Sequence, residues 1–148
     1  MFKKNKVIVD TGFIVALFNE RDSEHDAALK IEQQLGDSYH FVSTVFIIQE
    51  ICWLLMKRVN HEAAIKFMDC VQELIELPPL PDQWIEKTIP ILRKYSNRKL
   101  DLADASIVVL ADHINLGDII SIDRKDFSVL RWGEGKKCFN NFMLDNTI

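Results

Sequence analysis

The sequence predicts an α/β domain, a mostly parallel sheet with helices packed on both faces. Three observations carry that reading. Short β-branched apolar runs alternate with longer stretches of helical periodicity along the whole chain. The first run, Val7-Ile8-Val9, is apolar at every position, as a strand covered on both faces requires. The 148 residues are 48% hydrophobic and 27% charged, with only 5 Gly and 4 Pro, so one core of ordinary size and no low-complexity linker are expected. A single domain over residues 1–148 follows.

The elements can be justified in order. A strand over residues 6–9 ends on Asp10, and residues 11–18 are apolar and helical. Asp22 or Ser23 can cap a second helix running to about residue 35, with Ala27, Ala28, Ile31 and Leu35 on one face and Gly36 as its stop. A second strand covers residues 40–43. Ser43 or Thr44 starts a third helix. Ten of the twelve residues from 45 to 56 are apolar, Gln49 and Glu50 being the exceptions, which places this helix in the interior. A fourth helix begins near Asn60, with Ala64, Phe67, Met68, Val71, Leu74 and Ile75 at helical spacing. Its end, Leu74-Ile75-Glu76-Leu77, also reads as a third strand before Pro78. Asp82 caps a helix reaching about residue 95, which Pro90 kinks or divides. Residues 101–114 form an amphipathic helix closed by Asn115 and Gly117. Residues 118–122 form a strand ending at Asp123, and a short last strand falls within 127–132. The tail beyond Gly133 receives no assignment.

Composition removes several classes of function. No apolar run approaches the roughly 18 residues of a membrane span, and the three apolar residues after the basic start are too few for a signal-peptide core. A cytoplasmic protein without membrane association is expected. Three cysteines, widely spaced and without a CxxC pair, indicate neither a disulfide framework nor zinc, and buried reduced thiols are expected. His25, His40, His61 and His113 fall in no metal-binding pattern. The net charge of −4 argues against a passive nucleic-acid binder, but not against a nucleic-acid substrate, because local field outweighs total charge. Basic clusters do occur, at Lys3, Lys4 and Lys6; at Lys57 and Arg58; at Arg93, Lys94, Arg98 and Lys99; and at Arg124 and Lys125.

The carboxylates carry the chemical signal. Asp10 and Asp123 lie at the carboxyl ends of predicted strands, where sites form in open parallel sheets. Glu50 interrupts an otherwise apolar helix, and burying it ionised and unpaired would be costly. Asp101 and Asp104 share a face of one helix start, where Asp101 is also a natural cap. Asp126 follows Asp123 by three. Each has a bland reading as a cap, a turn or a solvated charge. If they converge, two unit charges about 4 Å apart repel by about 4 kcal/mol at an effective dielectric of about 20. Such a cluster needs protons or a hard divalent cation, and oxygen ligands suit Mg²⁺ or Mn²⁺.

At this point the chain resembles the PIN-domain ribonucleases, and more narrowly the VapC-type toxin group. The matching residues are Val7-Ile8-Val9-Asp10-Thr11, Ile47-Ile48-Gln49-Glu50, Asp101-Leu102-Ala103-Asp104-Ala105 and Ser121-Ile122-Asp123-Arg124-Lys125-Asp126-Phe127. The resemblance implies an α/β/α sandwich with a five-stranded sheet of order 3-2-1-4-5. It implies an acidic pocket in which Asp10, Glu50, Asp104 and Asp123 hold one or two Mg²⁺ or Mn²⁺ ions. Thr11, Asp101, Ser121 and Asp126 are secondary candidates; Ser121 stands where Thr is frequent, and Gly12 where Ser or Asn is common. Arg124, Lys125, Arg98 and Lys99 are candidates to contact an RNA substrate. A homodimer and a cognate antitoxin are implied partners.

Two other functions fit the same fold: a non-catalytic PIN-like binding module and a housekeeping RNA-processing nuclease. Aspartyl-phosphate chemistry fits poorly, because Gly12 occupies the place of the second Asp that such a phosphatase needs, and no acidic pair precedes Thr11 as a receiver domain requires.

Overall fold

A computed structural model describes residues 4–143. Lys3 of the first basic cluster and residues 144–148 of the tail lie outside it. The elements follow in chain order as β1 (Asn5–Val9), α1 (Thr11–Phe18), α2 (His25–Leu35), β2 (Tyr39–Val42), α3 (Val45–Arg58), α4 (His61–Leu74), β3 (Ile75–Glu76), α5 (Trp84–Lys94), α6 (Leu102–Ile114), β4 (Asp118–Ile120), α7 (Arg124–Val129), β5 (Arg131–Trp132), β6 (Lys137–Cys138) and β7 (Asn140–Asn141).

Five strands form one parallel sheet in the order β3-β2-β1-β4-β7. Val7, Ile8 and Val9 are all fully buried although successive side chains point to opposite faces, so helices cover the central strand on both sides. The core continues through Phe13, Ile14 and Val15 of α1, Ile47, Ile51 and Leu55 of α3, and Ile107, Leu110 and Ala111 of α6.

Local chemistry starts most of the helices. Asp10, Thr44, Asn60, Asp101 and Asp123 each accept a backbone N–H from the residue three further on, leaving fewer orphan donors in the first turn. Helix α2 ends at Gly36 with a φ of 51°, and α6 ends at Asn115 in the left-handed region with a φ of 53°.

Five expectations need correction. Neither Asp22 nor Ser23 caps α2, whose cap position is Glu24, without a side-chain bond. The fifth strand of the sheet is β7, not the segment 127–132: residues 124–129 form a helix that buries Phe127, and Arg131–Trp132 pairs antiparallel with β6 in a separate hairpin. Trp132 explains this placement, since its indole lies against Gly117 and donates to the Cys138 carbonyl. Helix α3 is not wholly interior. Its buried stripe is Ile47, Ile48, Ile51 and Leu55, while Val45, Trp53 and Met56 face out, with Lys57 over the Trp53 ring at 4.6 Å. Pro90 does not divide α5, and Asp82 does not cap it. The cap position is Gln83, without a side-chain bond, and backbone bonds Lys87 to Gln83 and Tyr95 to Ile91 flank the proline. The cysteines are free but not buried: Cys52 and Cys70 are half-buried and Cys138 is exposed on the edge hairpin. Among the described residues, no helix is long and apolar enough to cross a membrane.

Candidate active site

The carboxyl edge of the sheet gathers most of the buried polar side chains among the described residues. Asp10 and Thr11 follow β1, Ser43 and Thr44 follow β2, and Ser121 follows β4. Backbone bonds tie the strand ends together, from the Asp10 N–H to the Ile120 carbonyl at 3.3 Å and from the Ser43 N–H to the Glu76 carbonyl at 3.0 Å. The Ser43 hydroxyl donates to the Val9 carbonyl at 2.8 Å. Thr44 and Ser106 hydroxyls meet at 2.7 Å, joining the start of α3 to α6. These bonds join the ends of β1, β2, β3 and β4, and the start of α3 to α6.

Asp10 is held from two sides. Its Oδ1 caps α1 by accepting the Phe13 N–H at 3.2 Å, and its Oδ2 accepts the Ser121 hydroxyl. The same Ser121 Oγ accepts the Asp123 N–H at 3.0 Å. Asp123 in turn caps α7 through the Asp126 N–H at 3.0 Å, and Asp101 caps α6 through the Asp104 N–H at 2.9 Å. Cap and site readings are compatible for Asp101 and Asp123, each of which caps through Oδ1 alone, whereas both oxygens of Asp10 already accept a hydrogen bond.

Electrostatics join these groups. Burial pushes the Asp10 carboxyl up to about 7; the Ser121 and Phe13 donors oppose this, while Asp123 and Glu50 add to it. Burial also raises Asp104, to about 8, reinforced by Asp101, Glu50 and Asp10. Glu50 is raised by burial and by Asp101. Asp126 is raised by burial and by Asp123, with Arg98 opposing from 3.3 Å. Asp10, Glu50, Asp101, Asp104, Asp123 and Asp126 therefore form one field of mutual repulsion drawn from four parts of the chain.

The oxygen donors fit a hard divalent cation, and Thr11 adds to that fit. Its Oγ1 is buried without a hydrogen-bond partner, and it eases the Glu50 carboxylate downward without reaching normal hydrogen-bond geometry. A buried hydroxyl without a protein partner, beside raised carboxyls, is a further oxygen donor of the kind such an ion takes. Among the described residues, no three acidic, His or Cys side chains are arranged as ligands around one point.

The candidate RNA contacts fare unevenly. Arg98 is engaged with Asp126, and Arg124 lies 3.9 Å from Glu24, whereas Lys99 and Lys125 are exposed. A cavity of about 580 Å³ lies between α5, α6 and the β5–β6 hairpin, but none of the six carboxylates lines it. Sequence reading missed the Thr44–Ser106 pair and Asn141, whose side chain bonds both backbone groups of Ser121. Neither carries a local sequence signal, since each pairing joins distant segments.

Residues 7–132 match the PIN domain family. Ribonuclease VapC26 of Mycobacterium tuberculosis (strain ATCC 25618 / H37Rv) is 29% identical over 126 residues, covering 84% of this chain and 92% of its own. Among solved structures, M. tuberculosis VapC20, described as a sarcin-ricin loop cleaving toxin, superimposes with a TM-score of 0.71 at 18% identity, over 80% of this chain and 91% of that one. VapBC2 of Rickettsia felis, bound to a DNA fragment from its promoter, does so with a TM-score of 0.65 at 13% identity, over 93% and 98%. With the match spanning β1 to β5 and every acidic position discussed above, the chain belongs to the PIN domain family.

Proposed function

We propose that this protein is a divalent-metal-dependent endoribonuclease of the VapC type, the toxin of a toxin–antitoxin pair acting in the cytoplasm. The reading is supported by Asp10, Glu50 and Asp104, whose carboxyls are raised by burial and by acidic neighbours that include Asp101 and Asp123. The similarity to Ribonuclease VapC26 supports RNA as the substrate.

In this reading Asp10, Glu50, Asp104 and Asp123 hold Mg²⁺ or Mn²⁺, with Thr11, Asp101, Ser121 and Asp126 around them. A bound divalent ion supplies positive charge against the phosphate and acidifies the attacking water. The chain does the rest. Ser121 orients Asp10, the Asp123 cap fixes α7, and one carboxylate of the set accepts the proton of the nucleophile. Lys125, Lys99, Arg124 and Arg98 contact the RNA backbone and offset the acidic field for a polyanion.

A homodimer and an antitoxin are the expected partners. Trp53, Met56 and Val59 at the end of α3 and Ile65 and Met68 on α4 remain exposed on two helices that pack together, and such apolar surface supports a protein interface.

Cleavage of RNA by the purified protein in Mg²⁺ or Mn²⁺, lost in Asp10→Asn and Asp104→Asn with the circular dichroism unchanged, is the expected result. Undiminished cleavage in both variants rejects the assignment.

A further inference from the structure

Asn141 is 5% exposed, and both its amide oxygen and its amide nitrogen are hydrogen-bonded. Oδ1 accepts the Ser121 N–H at 3.0 Å and the Met143 N–H at 3.1 Å, while Nδ2 donates to the Ser121 carbonyl at 3.0 Å. One side chain takes both backbone groups of Ser121, as the peptide of a neighbouring strand would. The ladder explains why. β7 pairs with β4 only at Asp118–Asn140 and Ile119–Asn141, followed by the Phe142 N–H to the Ile119 carbonyl, and the chain then turns. The Asn141 amide extends the sheet one step further, to the residue at which β4 has ended. Ser121 is fully buried, so its N–H and carbonyl need these partners.

The consequence reaches the acidic site. Ser121 Oγ donates to Asp10 Oδ2 and accepts the Asp123 N–H at 3.0 Å, so a single hydroxyl ties the Asp10 carboxylate to the backbone of Asp123, at the ends of two neighbouring strands. Its direction is set by the Ser121 backbone, and that backbone is held by Asn141. We propose that Asn141 is a positioning residue of the acidic site: by clamping Ser121 it fixes the geometry of Asp10 and Asp123 and thereby the affinity for the divalent ion. The inference rests on the metal-dependent reading above. It also assigns a role to the C-terminal strand, because Asn141 lies beyond the segment 7–132 that matches the PIN family. Side chains that hold ligands in place typically affect metal affinity or activity 10–100-fold, on the order of what a ligand's own orientation is worth.

The test compares wild type with Asn141→Leu, similar in size but without hydrogen bonds, and Asn141→Gln, which retains the amide on a longer stem. Mn²⁺ binding is followed by electron paramagnetic resonance on protein shown to be folded, and amide exchange is followed at Ser121 without metal. The expected result is Mn²⁺ affinity about tenfold lower in Asn141→Leu, partly recovered in Asn141→Gln. Loss of Ser121 amide protection and a fall in kcat for RNA with little change in KM are expected alongside. If Asn141→Leu does not fold, Asn141→Ser, which leaves room for water at both Ser121 groups, carries the same comparison. Unchanged Mn²⁺ affinity in a folded variant overturns the proposal, however much its melting temperature falls. A wild type that binds no Mn²⁺ overturns the metal reading and this inference together, whereas binding by wild type and variant alike overturns this inference alone.

Discussion

Ser121 donates its hydroxyl to Asp10 across the junction of β4 and β1, so the carboxylate at the end of the first strand is aimed by a residue 111 positions later in the chain. That hydroxyl is also an influence holding the Asp10 pKa down against burial. Ser121→Ala is expected to leave the fold intact and to reduce RNA cleavage about 10–100-fold. Ser121→Thr, which keeps the hydroxyl, is expected to retain most activity. Steady-state cleavage rates of the two variants check this, and equal rates would show that the hydroxyl does not position Asp10.

The raised carboxyls make stability depend on pH with a definite sign. Asp10 has an ordinary value of 3.8 and stands at about 7 when folded; Asp104 stands at about 8. Between those limits the folded state holds protons that the unfolded chain has released, so stability falls as pH rises from about 4 to about 8. In chelator, the melting temperature is expected to be lower at about pH 8.5 than at about pH 5.5, and Mg²⁺ should raise it chiefly at the higher pH. In Asp10→Asn the pH dependence should flatten. A melting temperature that rises with pH would reverse the account.

Asp101 performs two tasks that substitution separates. As the cap of α6 it accepts the Asp104 N–H, and its charge raises Glu50 and Asp104. Asp101→Ala is expected to destabilise the protein by about 1 kcal/mol through loss of the cap. Asp101→Asn keeps the cap and removes the repulsion, so it should equal or exceed wild-type stability in chelator near neutral pH. Chemical denaturation of the three proteins measures the difference.

The hairpin that displaced the expected fifth strand rests on Gly117. A Cβ at that position would meet the Trp132 indole, which is held by the Cys138 carbonyl. Gly117→Ala is expected to cost about 1–3 kcal/mol by overpacking. Near-ultraviolet circular dichroism should register the altered Trp132 environment, and an unchanged spectrum and stability would place Trp132 elsewhere.

Much of the fold was legible because it is written locally. Thr44, Asn60 and Asp101 are capping residues followed by helical periodicity, and Val7-Ile8-Val9 admits little but a buried strand. The fifth strand was not legible, because Asn140 and Asn141 have poor strand propensity and pair only through the closeness of β4. A last strand was expected within 127–132, yet a six-residue helix capped by Asp123 takes up residues 124–129 and buries Phe127. Apolar pattern also could not separate the inward face of α3 from Trp53 and Met56, because periodicity records hydrophobicity and not what covers it. For the site, the acidic residues stood out by type and spacing. Their supports did not: Ser106, Asn141 and the orphaned Thr11 hydroxyl take their meaning from neighbours that only folding supplies.

In the proposed site, carboxylates from separate segments share one divalent cation. Anomalous scattering from crystals soaked in MnCl₂ tests it most directly. The account requires a manganese peak ligated by carboxylate oxygens of Asp10 and Asp104, with Glu50 and Asp123 bound to it or joined through water, and no such peak in Asp10→Asn. Side chains that stay apart, or that turn to arginines with no peak between them, would contradict it.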